Sequence, residues 1–197
     1  MKIGLFGGTF DPVHNAHLII AQVAYEMLGL DYVMFMPAAI PPHKTTQNIS
    51  AAEIRWTMLN LALEGQPHFK ASRMELDRKG ISYTVLTIEQ IKRERQLTRQ
   101  ELVLIIGADS LMEIGIWRQP ELIFEGCEVA VYPRPNISWN NVSTQFASQV
   151  IRLEAPLLEI SSTHIRKRVQ KGLPIHFFVP PQVEEFIKSK NLYRING

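Results

Sequence analysis

Cys127 is the only cysteine in the chain, so no internal disulfide can form. It lies in the apolar run Cys127-Glu128-Val129-Ala130-Val131, where a buried strand thiol is expected rather than a nucleophile. Long hydrophobic runs are missing too, and nothing approaches the ~18 consecutive apolar residues of a membrane helix. The opening Met1-Lys2-Ile3-Gly4-Leu5-Phe6-Gly7-Gly8 is too short an apolar stretch for a signal peptide, so a cytoplasmic location without a membrane partner is expected. Charge of one sign is scarce: 21 Lys and Arg face 19 Asp and Glu, for a formal net charge of +2. A nucleic-acid partner would call for a dense basic stripe and is not expected, whereas an anionic small molecule fits if cations gather where it sits. Internal repeats and low-complexity tracts are absent as well.

What is present describes an ordinary globular chain of 197 residues, 46% hydrophobic and 20% charged. At roughly 150 residues per domain, one domain over 1–197 is expected, with a core large enough to need no disulfide or structural metal. Strand signals at Ile3–Phe6, Tyr32–Met36, Leu102–Ile106 and Val129–Tyr132 alternate with helical spacing. Helices are expected over Asn15–Leu28, from a Ser50 N-cap to about Leu63, Tyr83–Arg95, Ser161–Gln170 and Pro181–Lys190. In the first of these, Ile19, Val23 and Met27 recur every four residues with Ile20 and Ala24 beside them, and Gly29 ends it. Weaker strand signals cover His68–Met74 and Ile151–Leu153, and residues 136–149 suggest a surface loop. The pattern predicts an α/β fold: a Rossmann-like, doubly wound sheet of mainly parallel strands with helices on both faces. Such sheets bind ligands beyond the carboxyl ends of their strands, which would bring together loops 7–17, 107–110 and 133–136.

The first of those loops, Gly7-Gly8-Thr9-Phe10-Asp11-Pro12-Val13-His14-Asn15-Ala16-His17, leads into a helix. Paired glycines allow close backbone approach to a ligand, and the helix start supplies N–H donors and a positive dipole end. His14 and His17, three residues apart, can face one anion. No acid follows Asp11 until Glu26, so the opening lacks the counter-charge that helix starts usually carry. Local capping by the two histidines is the plainer explanation. A zinc site would need His at i and i+4 with a Glu between them, and a dinucleotide turn would need G-x-G-x-x-G; neither pattern is present.

A second helix opening, Ile160-Ser161-Ser162-Thr163-His164-Ile165-Arg166, crowds three hydroxyls around an N-terminus. Ser161 suits the N-cap, but His164 stands where a capping box would have Glu or Gln. Arg166, one turn after Ser162, can add a bidentate phosphate fork. Lys167 and Arg168 fit solvated surface charges equally well.

Taken together, the two segments resemble the nucleotidyltransferase superfamily with H-x-G-H and I-S-S-T-x-x-R motifs, except that Ala16 stands where that family usually has glycine. Pro41-Pro42-His43-Lys44, Ser82-Tyr83-Thr84, Ile106-Gly107-Ala108-Asp109-Ser110, Trp117, Arg134-Pro135 and Leu192-Tyr193 extend the resemblance over nearly the whole chain, toward the bacterial nicotinate-nucleotide adenylyltransferases. The resemblance implies adenylyl transfer from ATP to nicotinate mononucleotide by direct attack, with Mg²⁺ carried by the ATP phosphates rather than by a protein cage. His14, His17 and Arg166 would be catalytic. ATP contacts would add Gly7, Gly8, Thr9, Phe10, Gly107, Asp109, Ser161, Ser162, Thr163 and Ile165, the part from about 161 to 197 completing that site. Lys44, Tyr83, Thr84, Asp109, Trp117 and Arg134 would hold the mononucleotide.

Other assignments stay open for single residues: Tyr83 and Trp117 as core aromatics, Asp109 as a helix cap, Lys44 as a surface charge. Other functions share parts of this pattern: a pantetheine-phosphate or cytidylyl transferase, a fragment of a class I aminoacyl-tRNA synthetase, and an ATP-binding sensor without turnover. The preference between nicotinate and nicotinamide is not legible, since no Arg or Lys is evidently dedicated to a pyridine carboxylate. A homo-oligomer is neither indicated nor excluded.

Overall fold

A computed structural model describes residues 1–41, 49–78, 80–135, 137–139, 142 and 144–194. The chain begins with β1 (Ile3–Gly8), α1 (Asn15–Leu28), β2 (Tyr32–Pro37), α2 (Ala52–Leu63) and β3 (Phe69–Ala71). Two helices, α3 (Met74–Arg78) and α4 (Thr84–Arg95), precede β4 (Leu102–Gly107). Then come α5 (Ala108–Glu113), α6 (Pro120–Gly126), β5 (Glu128–Tyr132), β6 (Val150–Arg152), α7 (Ser162–Gln170) and α8 (Pro181–Ser189). No helix among the described residues is long and apolar enough to cross a membrane.

The strands form one sheet in the order β3-β2-β1-β4-β5-β6, parallel throughout. Chain order reverses at β1, because β2 lies on one side of it and β4 on the other. Such a reversal opens a crevice past the carboxyl ends of the two central strands. Register makes the crevice explicit. Pairing between β1 and β4 stops at Phe6 and Ile105, although β1 runs on to Gly8 and β4 to Gly107.

Side chains alternate across the sheet with the strand period of two. Phe6, Val33, Phe35, Val103, Ile105 and Ala130 face a core shared with α1, α2, α7 and α8. Ile3, Leu5, Met34, Leu102, Leu104 and Val129 face a second core under α4, α5 and α6. Helices therefore cover both faces, which explains why the central strands read as unbroken apolar runs.

Several local expectations need correction. On α1 the buried residues are Ala16, Ile20, Ala21 and Ala24, while Ile19 and Met27 are 39% and 46% exposed. Small side chains let that helix sit close to the sheet, so the larger residues mark the wrong face. Ser50 is not the cap of α2, whose N-cap is Ala51; instead its N–H donates to Asp11 Oδ2 at 3.1 Å. The strand expected over His68–Met74 is confined to Phe69–Ala71, and Met74 already opens a helix. The short helices α3, α5 and α6 were not anticipated, being too brief to display a period. Cys127 is fully buried beside β5, and burial pushes its thiol up to about 12, so it stays protonated.

The most consequential packing feature is Arg55, 1% exposed on the sheet-facing side of α2. Its guanidinium donates to the carbonyls of Ser50 (3.0 Å), Thr9 (3.0 Å), Ala38 (2.8 Å) and Ala39 (3.3 Å). It thereby ties the end of β2 and the start of α2 to the loop after β1. Asp11, 2% exposed, supplies an attractive charge and accepts from Ser50 N–H and from the Tyr193 hydroxyl at 2.7 Å. Burial alone would disfavour the charged guanidinium; the four carbonyls and Asp11 offset that cost. Arg55→Met, similar in length but uncharged, is expected to destabilise the fold by roughly 3–5 kcal/mol in urea unfolding, as removing one member of a buried charged network does. A loss below about 1 kcal/mol would mean that water replaces the guanidinium at little cost.

Candidate active site

Two helix openings meet directly in the structure. Arg166 Nη1, on α7, donates to the carbonyl of Asp11 at 2.7 Å, and Ser162 Oγ donates to the carbonyl of Pro12 at 2.8 Å. The loop Thr9–Pro12 is thus gripped by Arg55 on one side and by α7 on the other. Neither α1 nor α7 has an acidic residue in its first turn. Ser161 caps α7 by accepting from His164 N–H, and Arg166 Nη2 reaches Thr163 Oγ1 at 3.4 Å. Ile165 is fully buried and its N–H donates to the Ser161 carbonyl, so it anchors the helix rather than offering a donor to a ligand.

His14 and His17 stack, with ring centroids 3.6 Å apart and planes within 17°. His14 N–H donates to His17 Nδ1 at 3.2 Å, so capping by the pair is real. That bond also fixes chemistry: with Nδ1 accepting, the neutral imidazole of His17 carries its proton on Nε2. His14 is 4% exposed and its Nδ1 is buried without a hydrogen-bond partner. Burial, reinforced by the nearby Arg134 guanidinium, lowers its pKa to about 3. Arg134 also lines the recess that the two rings share. Ala16 joins them around a recess of about 10 Å³, room for a single water, so a phosphate would lie over this recess and not within it.

Beside the openings lies a cavity of about 290 Å³, at the parted ends of β1 and β4. Gly7, Gly8, Thr9 and Gly107 line it from the sheet, and Tyr83, Thr84 and Trp117 from the far side. A Cβ on Gly7 would meet nothing within 4 Å, so packing does not demand glycine there and the space stays open to a ligand. A Cβ on Gly8 would press on the ring of Phe10 at 2.9 Å, and one on Gly107 would collide with Asp109 Oδ1. Tyr83 and Trp117 are half-buried: they pack against the second core and also wall this cavity.

Asp109 lies in the first turn of α5, whose N-cap is Gly107, and pairs with Arg134 Nε at 3.2 Å. This exposed pair bridges the loops that follow β4 and β5, so loops 107–110 and 133–135 do meet there. Lys44 lies outside the described residues. Sequence reasoning missed three contributors: Arg55, the Asp11 carboxylate network, and Arg118, which lines the cavity with its guanidinium 4.8 Å from the Tyr83 ring centre. A usable signal existed for Arg55, since it occupies the same helical stripe as the buried Met58, Leu59 and Ala62.

Comparison with known proteins fits this geometry. Residues 5–168 match the family model described as Cytidylyltransferase-like. The protein named "Probable nicotinate-nucleotide adenylyltransferase" of Clostridium perfringens (strain SM101 / Type A) is 38% identical over 200 residues, covering 98% of each chain. Its namesake in Thermomicrobium roseum is 41% identical over 199 residues, covering 98% of this chain and 92% of its own. Among solved structures, the Plasmodium falciparum nicotinic acid mononucleotide adenylyltransferase complexed with NaAD superposes with a TM-score of 0.81 at 16% identity, covering 98% of this chain and 97% of that one. That likeness concerns the fold, whereas the sequence matches carry the kinship. With its parallel sheet, its parted central strands and its paired acid-free helix openings, the chain belongs to the cytidylyltransferase-like family and, within it, to the nicotinate-nucleotide adenylyltransferases.

Proposed function

We propose that this chain transfers the adenylyl group of ATP to the phosphate of nicotinate mononucleotide, releasing pyrophosphate and nicotinate adenine dinucleotide. The observation that carries this reading is the direct bonding of two acid-free helix openings at the mouth of a cavity walled by aromatics. A phosphate oxygen of the mononucleotide attacks the α-phosphorus, and the bond from that phosphorus to the bridging oxygen of the pyrophosphate breaks. No protein nucleophile is needed, so the protein's tasks are alignment and charge neutralisation. His17 Nε2–H and the Arg166 guanidinium donate to the phosphates where charge develops. Arg134, and Lys44 as the resemblance implies, neutralise the acceptor's phosphate. Gly7, Gly8, Thr9, Phe10 and Gly107 give close backbone approach to ATP. Asp109 accepts from a ribose hydroxyl once its pairing with Arg134 yields. Tyr83, Thr84 and Trp117 enclose the pyridine ring.

The donor set suits magnesium held by phosphate oxygens and water. Among the described residues no three His, Cys, Asp or Glu side chains gather around a common point, and the Asp11 carboxylate is occupied by Tyr193 and Ser50. When bound with ATP, the ion would neutralise part of the phosphate charge.

Four outcomes test these roles. Incubation with ATP, Mg²⁺ and nicotinate mononucleotide should yield the dinucleotide, and turnover on 4′-phosphopantetheine instead would overturn the substrate assignment. In that assay His17→Ala should lower kcat by at least ~100-fold with the fold intact, the usual cost of an electrostatic donor lost from the transition state. Near-normal turnover would remove His17 from the chemistry. Trp117→Ala should raise KM for the mononucleotide far more than KM for ATP, because ring stacking contributes ~1 kcal/mol or more beyond burial. Equal losses would count against the pyridine pocket.

The fourth outcome concerns pH. An unfolded histidine takes its proton near 6.5, whereas folded His14 resists protonation down to about 3. Stability from its neutral ring is therefore complete above pH 6.5 and drains away as pH falls toward 3. Urea midpoints measured at pH 7, 6 and 5 should fall less steeply in His14→Asn than in the wild type. A bound non-hydrolysable ATP analogue should flatten the wild-type slope by supplying the missing counter-charge. Identical slopes in the two proteins would show that His14 does not titrate as described.

A further inference from the structure

One charged group facing the cavity between the β1 and β4 ends has no part in the chemistry above. Arg118 is the only Lys or Arg among the described residues that line it, and Glu75 is the only acid. The two differ sharply in availability. Glu75 is 8% exposed, accepts from Thr87 Oγ1 at 2.6 Å and has the Arg78 guanidinium 3.8 Å away. Burial also raises its carboxyl pKa, so it presents little free negative charge to a ligand. Arg118 is exposed, follows Trp117 directly and rests its guanidinium carbon 4.8 Å from the centre of the Tyr83 ring. Among the described residues it has no carboxylate partner. The aromatic end of the cavity therefore carries one available charge, and that charge is positive.

The other end is fixed by the chemistry. The acceptor's phosphate must reach the α-phosphorus at the helix openings, where His14, His17 and Arg134 surround the small recess and Arg118 is not among the lining residues. A mononucleotide with its phosphate there presents its pyridine ring, and not its phosphate, to Arg118. From this placement we infer that Arg118 reads the carboxylate on the pyridine ring and sets a preference for nicotinate over nicotinamide mononucleotide. The inference rests on the adenylyl transfer proposed above and deepens it. A guanidinium braced on an aromatic face loses little freedom when it pairs, and it distinguishes a carboxylate from a neutral amide by charge.

The test measures kcat/KM for both mononucleotides at saturating ATP in the wild type, Arg118→Gln and Arg118→Lys. Arg118→Gln should lose about tenfold on nicotinate mononucleotide, equivalent to about 1.4 kcal/mol, mainly through KM. Its loss on nicotinamide mononucleotide should be much smaller, and Arg118→Lys should fall between. Raising the salt concentration should narrow the discrimination of the wild type and leave that of Arg118→Gln unchanged, a response that a purely structural role would not produce. Thermal melting checks that each variant is folded. Equal losses on the two mononucleotides would overturn the inference in favour of a phosphate or structural role, and so would an unchanged ratio. A wild type inactive with both would instead remove the proposed function, and the inference with it.

Discussion

The site depends on one buried cation. Arg55 donates to carbonyls of Thr9, Ala38, Ala39 and Ser50, which belong to three separate stretches of chain that must converge at the parted ends of β1 and β4. Carbonyl groups turned toward a protein interior are costly unless paired, and a buried guanidinium is costly unless surrounded by acceptors. Each need answers the other, so the Thr9–Pro12 loop is held rigidly without a carboxylate projecting into the phosphate crevice. Asp11 completes the balance from behind, its charge occupied by Tyr193 and Ser50. Rigidity and a local deficit of negative charge thus have a common origin, and both are what a triphosphate site requires.

This division also explains what could be read from the amino-acid order. Strands buried on both faces announce themselves as unbroken apolar runs, so β1, β2, β4 and β5 were legible, and with them the parallel doubly wound sheet. Helix α4 was legible because Val85, Ile88 and Ile91 keep the helical period and are all buried. On α1 the period misled, because the buried stripe is largely alanine and the conspicuous Ile19 and Met27 face outward. Helices of five to seven residues such as α3, α5 and α6 span at most two turns, too short for any period to emerge.

Candidate site residues were legible where function and local structure share a segment. Glycines after a strand and hydroxyls before a helix are local patterns, and so both helix openings could be found. The roles of Arg55, Tyr193 and Arg118 escaped because they come from partners distant in sequence. Tyr193 meets Asp11 across 182 residues, and Arg118 stacks on a tyrosine 35 positions away, a span no local pattern covers. Arg55 could have been suspected as a charge on an apolar stripe, but nothing in the sequence says which carbonyls it satisfies.

His14 and His17 show why a structural and a chemical role need not compete. The amide of His14 donates to His17 Nδ1, which is ordinary helix capping. That same bond leaves the proton of a neutral His17 on Nε2, the atom that the proposed mechanism assigns to a phosphate oxygen. His14, stacked at 3.6 Å and deprived of solvent, stays neutral and spares its neighbour a repelling charge until an anion arrives. Had Glu stood at position 17, a capping box would have closed the helix equally well and set a carboxylate facing the triphosphate. With histidine there, one side chain caps the helix and leaves its start open to an anion, so the stability of α1 and the charge of the site are set by the same hydrogen bond.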